Sequence, residues 1–237
     1  MNRVKKKDRQ SGDRYYTPAW MTHFFMEYLG QKVVGKRVLC PMAGQGHIST
    51  MLRDFGAEVV TGDIDKSVSV DHHWDWIVES SRSKAAFRRR YGSFDWIIDN
   101  PFWDLGKGYK AADALLGSLK HVPNVAFLMS TAWGCPVACR NFVHDQHTES
   151  MELRLPRGKG YITPHTEKKN DRPAGGSSWF VWLQDEPPTN GTITHRVSVS
   201  RYERHINAQK GQTDLVDFLN GIPAAGRGKE PTQGSLV

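Results

Sequence analysis

The chain has no apolar run long enough to cross a bilayer. Its longest, residues 125–129 and 179–183, fall far short of the roughly 20 residues that a spanning helix needs. Cysteine is scarce, three in 237 residues, and an odd count this small argues against a disulfide framework and fits a reducing interior. The Lys/Arg-rich start is not followed by an apolar stretch of signal-peptide kind, so the cytoplasm is the expected location. No internal repeat is visible. Acidic residues are outnumbered, 25 against 32 basic ones, and the formal net charge is +7. What remains is ordinary globular material, 38% hydrophobic and 24% charged, in a chain long enough to bury a core as one domain. The basic residues fall in clusters, at 5–7, 82–90, 154–159, 168–172 and 196–204. Any one cluster reads as a solvated face, but several on a basic chain suit a polyanion, because neutralising its phosphates releases counterions.

Residues 1–14 are polar and basic and read as a flexible N-terminus. Residues 15–205 carry the pattern of a folded domain, and 206–237 form a polar, Gly/Pro-rich tail with room for one short helix near 213–219. Thr17-Pro18 opens a helix over 18–29 with aromatic residues at helical spacing. Strands are expected at 37–40, 58–62, 68–70, 94–99, 125–130, 151–155 and 178–183, with an edge strand within 192–200. Helices are expected at 48–55, 76–91 (a basic surface helix), 110–119 and 136–147. Strands that alternate with helices through the first half indicate a mainly parallel sheet covered on both faces. The strands at 151–155 and 178–183 have no helix between them and are expected to pair antiparallel.

Three loops carry chemistry, each at the carboxyl end of an expected strand, where open α/β sheets bind ligands. The first is Pro41-Met42-Ala43-Gly44-Gln45-Gly46. Its glycines permit a sharp turn and close approach of a ligand to the main chain, though the spacing is not that of a dinucleotide or phosphate loop. The second is Gly62-Asp63-Ile64-Asp65, where Asp63 is positioned to accept from a ribose hydroxyl pair; a turn-forming aspartate is the plain alternative. The third is Asn100-Pro101-Phe102-Trp103, directly after Asp99.

On these residues the chain resembles the amino-directed, S-adenosylmethionine-dependent methyltransferases, in particular the N6-adenine DNA methyltransferases of small phage or prophage type. The resemblance runs from about residue 15 to 184. Asn100-Pro101-Phe102-Trp103 is similar to that family's catalytic tetrapeptide, Tyr16-Thr17-Pro18 to its N-terminal cofactor segment, and Pro41, Ala43, Gly44 and Gly46 to its cofactor loop. Asp63 resembles its ribose acid and Asp75 its adenine-side acid. Two positions depart: Phe102 stands where a second proline is usual, and Cys40 where related loops carry an acid near the methionine ammonium. The resemblance implies a Rossmann-like class I methyltransferase, with a mainly parallel seven-stranded sheet, an antiparallel edge pair and helices on both faces. It implies S-adenosylmethionine as cofactor and adenine N6 in DNA as target.

The chemistry fits these residue types. An exocyclic amine is a poor nucleophile because its lone pair is delocalised into the ring, and acceptors for both its N–H groups steer the nitrogen toward tetrahedral geometry. The Asn100 side-chain oxygen and the Pro101 carbonyl can supply them. Trp103 can stack on a base that has left its duplex. Arg157, Lys159, Lys168, Lys169 and Arg172, in the basic connection 156–178, are the expected grip on a phosphate backbone. The alternatives are an RNA or protein-glutamine target, or a non-catalytic nucleic-acid-binding or inhibitory protein on the same fold. Cys135, Cys139, His144 and His147 have metal-ligating side chains, but their spacing lacks the long loop of a zinc finger and places His144 away from Cys139 on a helix, so no metal site is expected.

Overall fold

The computed structural model describes residues 17–101, 109–134, 146–156, 161–163, 166–171, 176–188, 191–201 and 203. The expectations for 1–14, 206–237, Tyr16, Phe102, Trp103, Cys135, Cys139, His144, Arg157, Lys159 and Arg172 lie outside these.

Helix α1 (Ala19–Val33) starts at Pro18, whose fixed φ suits a helix entry, and stops ahead of Gly35 (φ +71°). Strand β1 (Arg37–Cys40) follows, then α2 (His47–Asp54), β2 (Glu58–Asp63) and the two-residue strand β3 (His72–His73). The expected strand at 68–70 does not form; the ladder with β2 is taken up by the two histidines instead. The basic segment expected as one helix is two, α3 (Trp76–Ser80) and α4 (Lys84–Tyr91). Ser83 breaks it, its hydroxyl accepting from the Ala86 N–H as an N-cap. Nor is the segment wholly a surface one, since Trp76 and Phe87 are buried. Then come β4 (Trp96–Asp99), α5 (Tyr109–His121), β5 (Asn124–Ser130) and β6 (Met151–Arg154). The basic connection contains a hairpin, β7 (Tyr161–Thr163) and β8 (Thr166–Asp171), before β9 (Ser177–Leu183) and β10 (Ile193–Arg196).

The main sheet has eight strands in the order β10-β6-β9-β5-β4-β1-β2-β3, one more than the seven that the resemblance implies, with the strand expected within 192–200 at its edge as β10. Pairing is parallel except along β9, which runs antiparallel to both β5 and β6. Alternate strand residues face opposite ways. Val38, Trp96, Ile98, Leu128 and Trp179 therefore meet Phe24, Phe25, Leu29 and Leu52 of α1 and α2. Leu39, Ile97, Val125, Phe127 and Trp182 meet Trp76, Phe87 and Leu115 on the other face. Each fully buried side chain of this size contributes about 1.5–3 kcal/mol. Among the described residues no helix is long and apolar enough to cross a membrane.

Strand order places the site. The chain lays β1, β2 and β3 outward in one direction, then returns to set β4 and β5 on the other side of β1. In open α/β sheets ligands sit at such a switch point, outside the strands' carboxyl ends. The loop 41–46 and residues Asp99–Pro101 both lead out of strands at this one, between β1 and β4.

Candidate active site

The loop after β1 is held by its neighbours as well as by its own turn. Gly46 adopts φ +83°, a conformation that favours glycine, and donates its N–H to the Ala43 carbonyl at 2.9 Å. Ala43 N–H donates to the Gly62 carbonyl at 2.9 Å, Gly44 N–H to Asp63 Oδ2 at 2.7 Å, and Met42 N–H to Asp99 Oδ2 at 2.6 Å. The Trp74 indole donates to the Pro41 carbonyl at 3.0 Å. That ring also explains why position 62 is glycine: a Cβ there would lie 2.2 Å from the Trp74 indole.

Asp63 is 6% exposed, and its second oxygen accepts from the Asp65 N–H at 2.8 Å. A carboxylate has about four acceptor positions, so two backbone bonds do not exhaust it. Trp74 N–H donates to the Asp63 carbonyl at 3.0 Å, which brings the following residue, Asp75, to the same end of the sheet. Asp75 is the N-cap of α3, its Oδ1 accepting from the Ile77 N–H at 2.9 Å.

At the end of β4, Asp99 is 1% exposed. Its Oδ1 accepts from the Asn100 N–H at 2.8 Å, while Oδ2 takes the Met42 N–H. Burial pushes this carboxyl up to about 7; the two amide bonds oppose the rise and the nearby Asp63 charge adds to it. The Asn100 side-chain amide donates from Nδ2 to Thr17 Oγ1 at 3.3 Å. This bond ties the Asn100 side chain to the residue that precedes Pro18. Pro101 is buried beside it.

Thr17, Asn100, Asp99, the loop 41–46 and Asp63 thus belong to one run of hydrogen bonds, which joins residues up to 83 apart. Cys40 does not reach it as an acid would. Its thiol is fully buried in the core beneath α1 and α2, held well above its usual value first by burial and then by the Asp99 charge. Lys168 and Lys169 belong to β8, in the hairpin between β6 and β9. Because β6 lies parallel to β5 across β9, that hairpin leaves the sheet at the same end as Asn100. His147 lies in the short stretch before β6, its carbonyl accepting from the Trp182 indole at 2.8 Å. Among the described residues no group of three or more metal-ligating side chains comes together. Sequence reasoning passed over Asp99 and Trp74 as site residues. The one available signal was a carboxylate ending the otherwise apolar strand Trp96-Ile97-Ile98.

No protein-family model matches the chain, and no curated protein matches its sequence. Solved structures do resemble it. The modification subunit of a provisionally assigned type I restriction enzyme from Vibrio vulnificus YJ016 is 10% identical, with a TM-score of 0.53 over 89% of this chain and 55% of that one. The M protein of the type I restriction enzyme EcoKI is 9% identical, with a TM-score of 0.54 over 77% of this chain and 48% of that one. A provisionally assigned RNA methyltransferase from Pyrococcus horikoshii is 17% identical, with a TM-score of 0.50 over 72% of this chain and 86% of that one. This chain spans about half the length of the two restriction-enzyme subunits. At such identities the likeness is one of architecture, and the architecture is the Rossmann-like fold of these methyltransferases.

Proposed function

We infer that the protein is an S-adenosylmethionine-dependent methyltransferase acting on an exocyclic amine, adenine N6 in DNA. The observation that carries the reading is the convergence of Asn100 with the glycine loop, joined through Asp99, at the switch point of a methyltransferase-like sheet. The residues present fit the cofactor. Gly44 and Gly46 keep side chains off the loop, Asp63 has acceptor capacity for ribose hydroxyls, and Thr17-Pro18 borders Asn100 from the other side. When bound, the cofactor supplies a methyl group on a sulfonium, which an amine lone pair attacks as the carbon–sulfur bonding pair returns to sulfur.

The chain's own residues then have two tasks. Asn100 Oδ1 and the Pro101 carbonyl hold the two N–H groups and aim the nitrogen lone pair. No strong base is needed, because the nitrogen sheds its proton to water only after it has become cationic. Phe102 and Trp103 are assigned by resemblance to shape the loop and stack on the base. Arg157, Lys159, Lys168, Lys169 and Arg172 are assigned to the phosphate backbone; the hairpin's exit on the ligand side of the sheet supports this. The likeness to the restriction-enzyme modification subunits favours DNA, and the likeness to the P. horikoshii protein makes RNA the second reading.

The test is methyl transfer from isotopically labelled S-adenosylmethionine to unmethylated DNA and, in parallel, to total RNA, with digestion to nucleosides and mass spectrometry. Labelled N6-methyladenine from DNA supports the full reading; label in RNA alone changes the substrate. Asn100→Ala is expected to lower kcat by at least about 10³-fold while DNA binding persists, since an acceptor used in the transition state is lost. Unchanged turnover in that variant overturns the assignment of Asn100.

A further inference from the structure

Asp99 stands apart from the other acidic residues. It ends a strand whose four residues are all buried, and nothing in the methyl-transfer chemistry calls for a carboxylate there. Burying a charged or ionisable group is costly unless bonds compensate, and Asp99 makes two, each to a backbone N–H of a different loop. One donor, Met42, lies 57 residues away in the glycine loop, and the other is Asn100 itself. Strands β1 and β4 are already paired in parallel, with Leu39 opposite Ile97, so the sheet needs no further tie between them. What the two bonds fix lies beyond the ladder: the direction in which each loop leaves its strand. Gly44, two residues past Met42, is held from the far side by Asp63, and Asn100 is held from the far side by Thr17. Asp99 is therefore the middle member of a chain of contacts running from Asp63 through the glycine loop to Asn100 and Thr17.

We propose that Asp99 is a positioning residue that locks the cofactor loop to the amine-binding loop, so that one carboxylate sets both cofactor affinity and the aim of Asn100. The proposal rests on the methyltransferase reading and assigns Asp99 no contact with either substrate. A carboxylate suits the task because both its oxygens accept. In an asparagine of the same shape, one of the two oxygens becomes an NH₂ that faces a backbone N–H, and one loop is released.

The experiment compares wild type with Asp99→Asn in three measurements: calorimetric binding of S-adenosylhomocysteine, kcat and KM on DNA at saturating cofactor, and the thermal midpoint. The product affinity is expected to weaken roughly tenfold, the size of one buried charge-assisted hydrogen bond. The kcat is expected to fall about a hundredfold, as for a small misplacement of a positioned group. KM for DNA should stay close to wild type, and the midpoint is read at one fixed pH, because the two proteins differ in stability with pH through the buried carboxyl. A fall in midpoint with affinity and kcat unchanged in the folded enzyme would mean that Asp99 is structural only, and would overturn the proposal. Should Asp99→Asn fail to fold, Asp99→Ala is measured the same way, with the same outcomes. If wild type binds neither S-adenosylmethionine nor S-adenosylhomocysteine, the methyltransferase reading fails and the proposal fails with it. If wild type binds and transfers and Asp99→Asn matches it, only the proposal fails.

Discussion

Asp63 at the end of β2 and Asp99 at the end of β4 accept hydrogen bonds from the same glycine loop, at Gly44 and Met42, and both also accept from the backbone just beyond their own strand. Their surroundings differ. Asp99 is closed off between strands, and the cost of its charge appears as a carboxyl pushed up to about 7. Asp63 ends β2 beside an exposed Ile64. On the proposed reading, two similar bonding patterns serve opposite ends: one acid aligns the loops from inside, and the other offers acceptors to a ribose. Their hydrogen bonds alone do not separate them; Asp99 is the deeper, at 1% exposure against 6%.

The comparison can be pressed first through pH. For Asp99, both folded and unfolded chains hold the proton below about pH 4, only the folded chain holds it between the ordinary 3.8 and about 7, and neither does above. Stability from this group is therefore complete at low pH and lost as pH rises to about 7. By linkage the loss is on the order of 4 kcal/mol at most. His47 and His121, lowered by burial, work in the opposite direction, losing stability as pH falls from 6.5. The lowered Asp71 and Glu79 matter only below their ordinary values. The difference between wild type and Asp99→Asn cancels these backgrounds. In thermal melts from pH 4.5 to 8, that difference should move against wild type up to about pH 7 and then level off. A difference independent of pH would place the Asp99 charge in water after all.

A change at the other acid's doorstep comes next in size. Gly62→Ala would drive a methyl into the Trp74 indole and loosen its bond to the Pro41 carbonyl. Urea unfolding should report a loss of about 2–3 kcal/mol, as for an overpacked core. Smallest is Asp63→Asn, which keeps the shape of the side chain and removes a charged acceptor from the site. It should weaken cofactor binding about tenfold, with kcat at saturating cofactor little changed. Together with Asp99→Asn, this separates an acid that faces a ligand from one that holds the loops.

The parts of the fold that were legible in sequence share a cause: local pattern. Strand β1 stands between Gly35 and Pro41 as a short, mostly apolar run, and its bounds could be read directly. The hairpin was hidden because Thr-Glu-Lys-Lys-Asn-Asp carries no apolar alternation; its strands pair with each other in a separate two-stranded sheet. The split between α3 and α4 was masked by continuous basic and aromatic spacing, although Ser83 was an available cap signal. In the site, Asn100, Asp63 and the glycine loop announced themselves as turns after strands. Asp99 and Trp74 did not, because what they do depends on which strands lie side by side, and no window of sequence contains that.

The bond from the Trp179 indole to the Met21 carbonyl, 2.8 Å long and spanning 158 residues, has a consequence for how the chain is made. Helix α1 leaves the ribosome long before β9, and the ring tilted against its Phe25 is that same Trp179. Until β9 is made, Phe25 can meet Trp96 of β4 but not Trp179, so part of the Trp20, Phe24 and Phe25 stripe stays uncovered and is a surface on offer to a chaperone. The side of the sheet under α1 closes only once the chain has been translated past β9, and Thr17, at the head of that helix, reaches Asn100 no earlier than α1 docks.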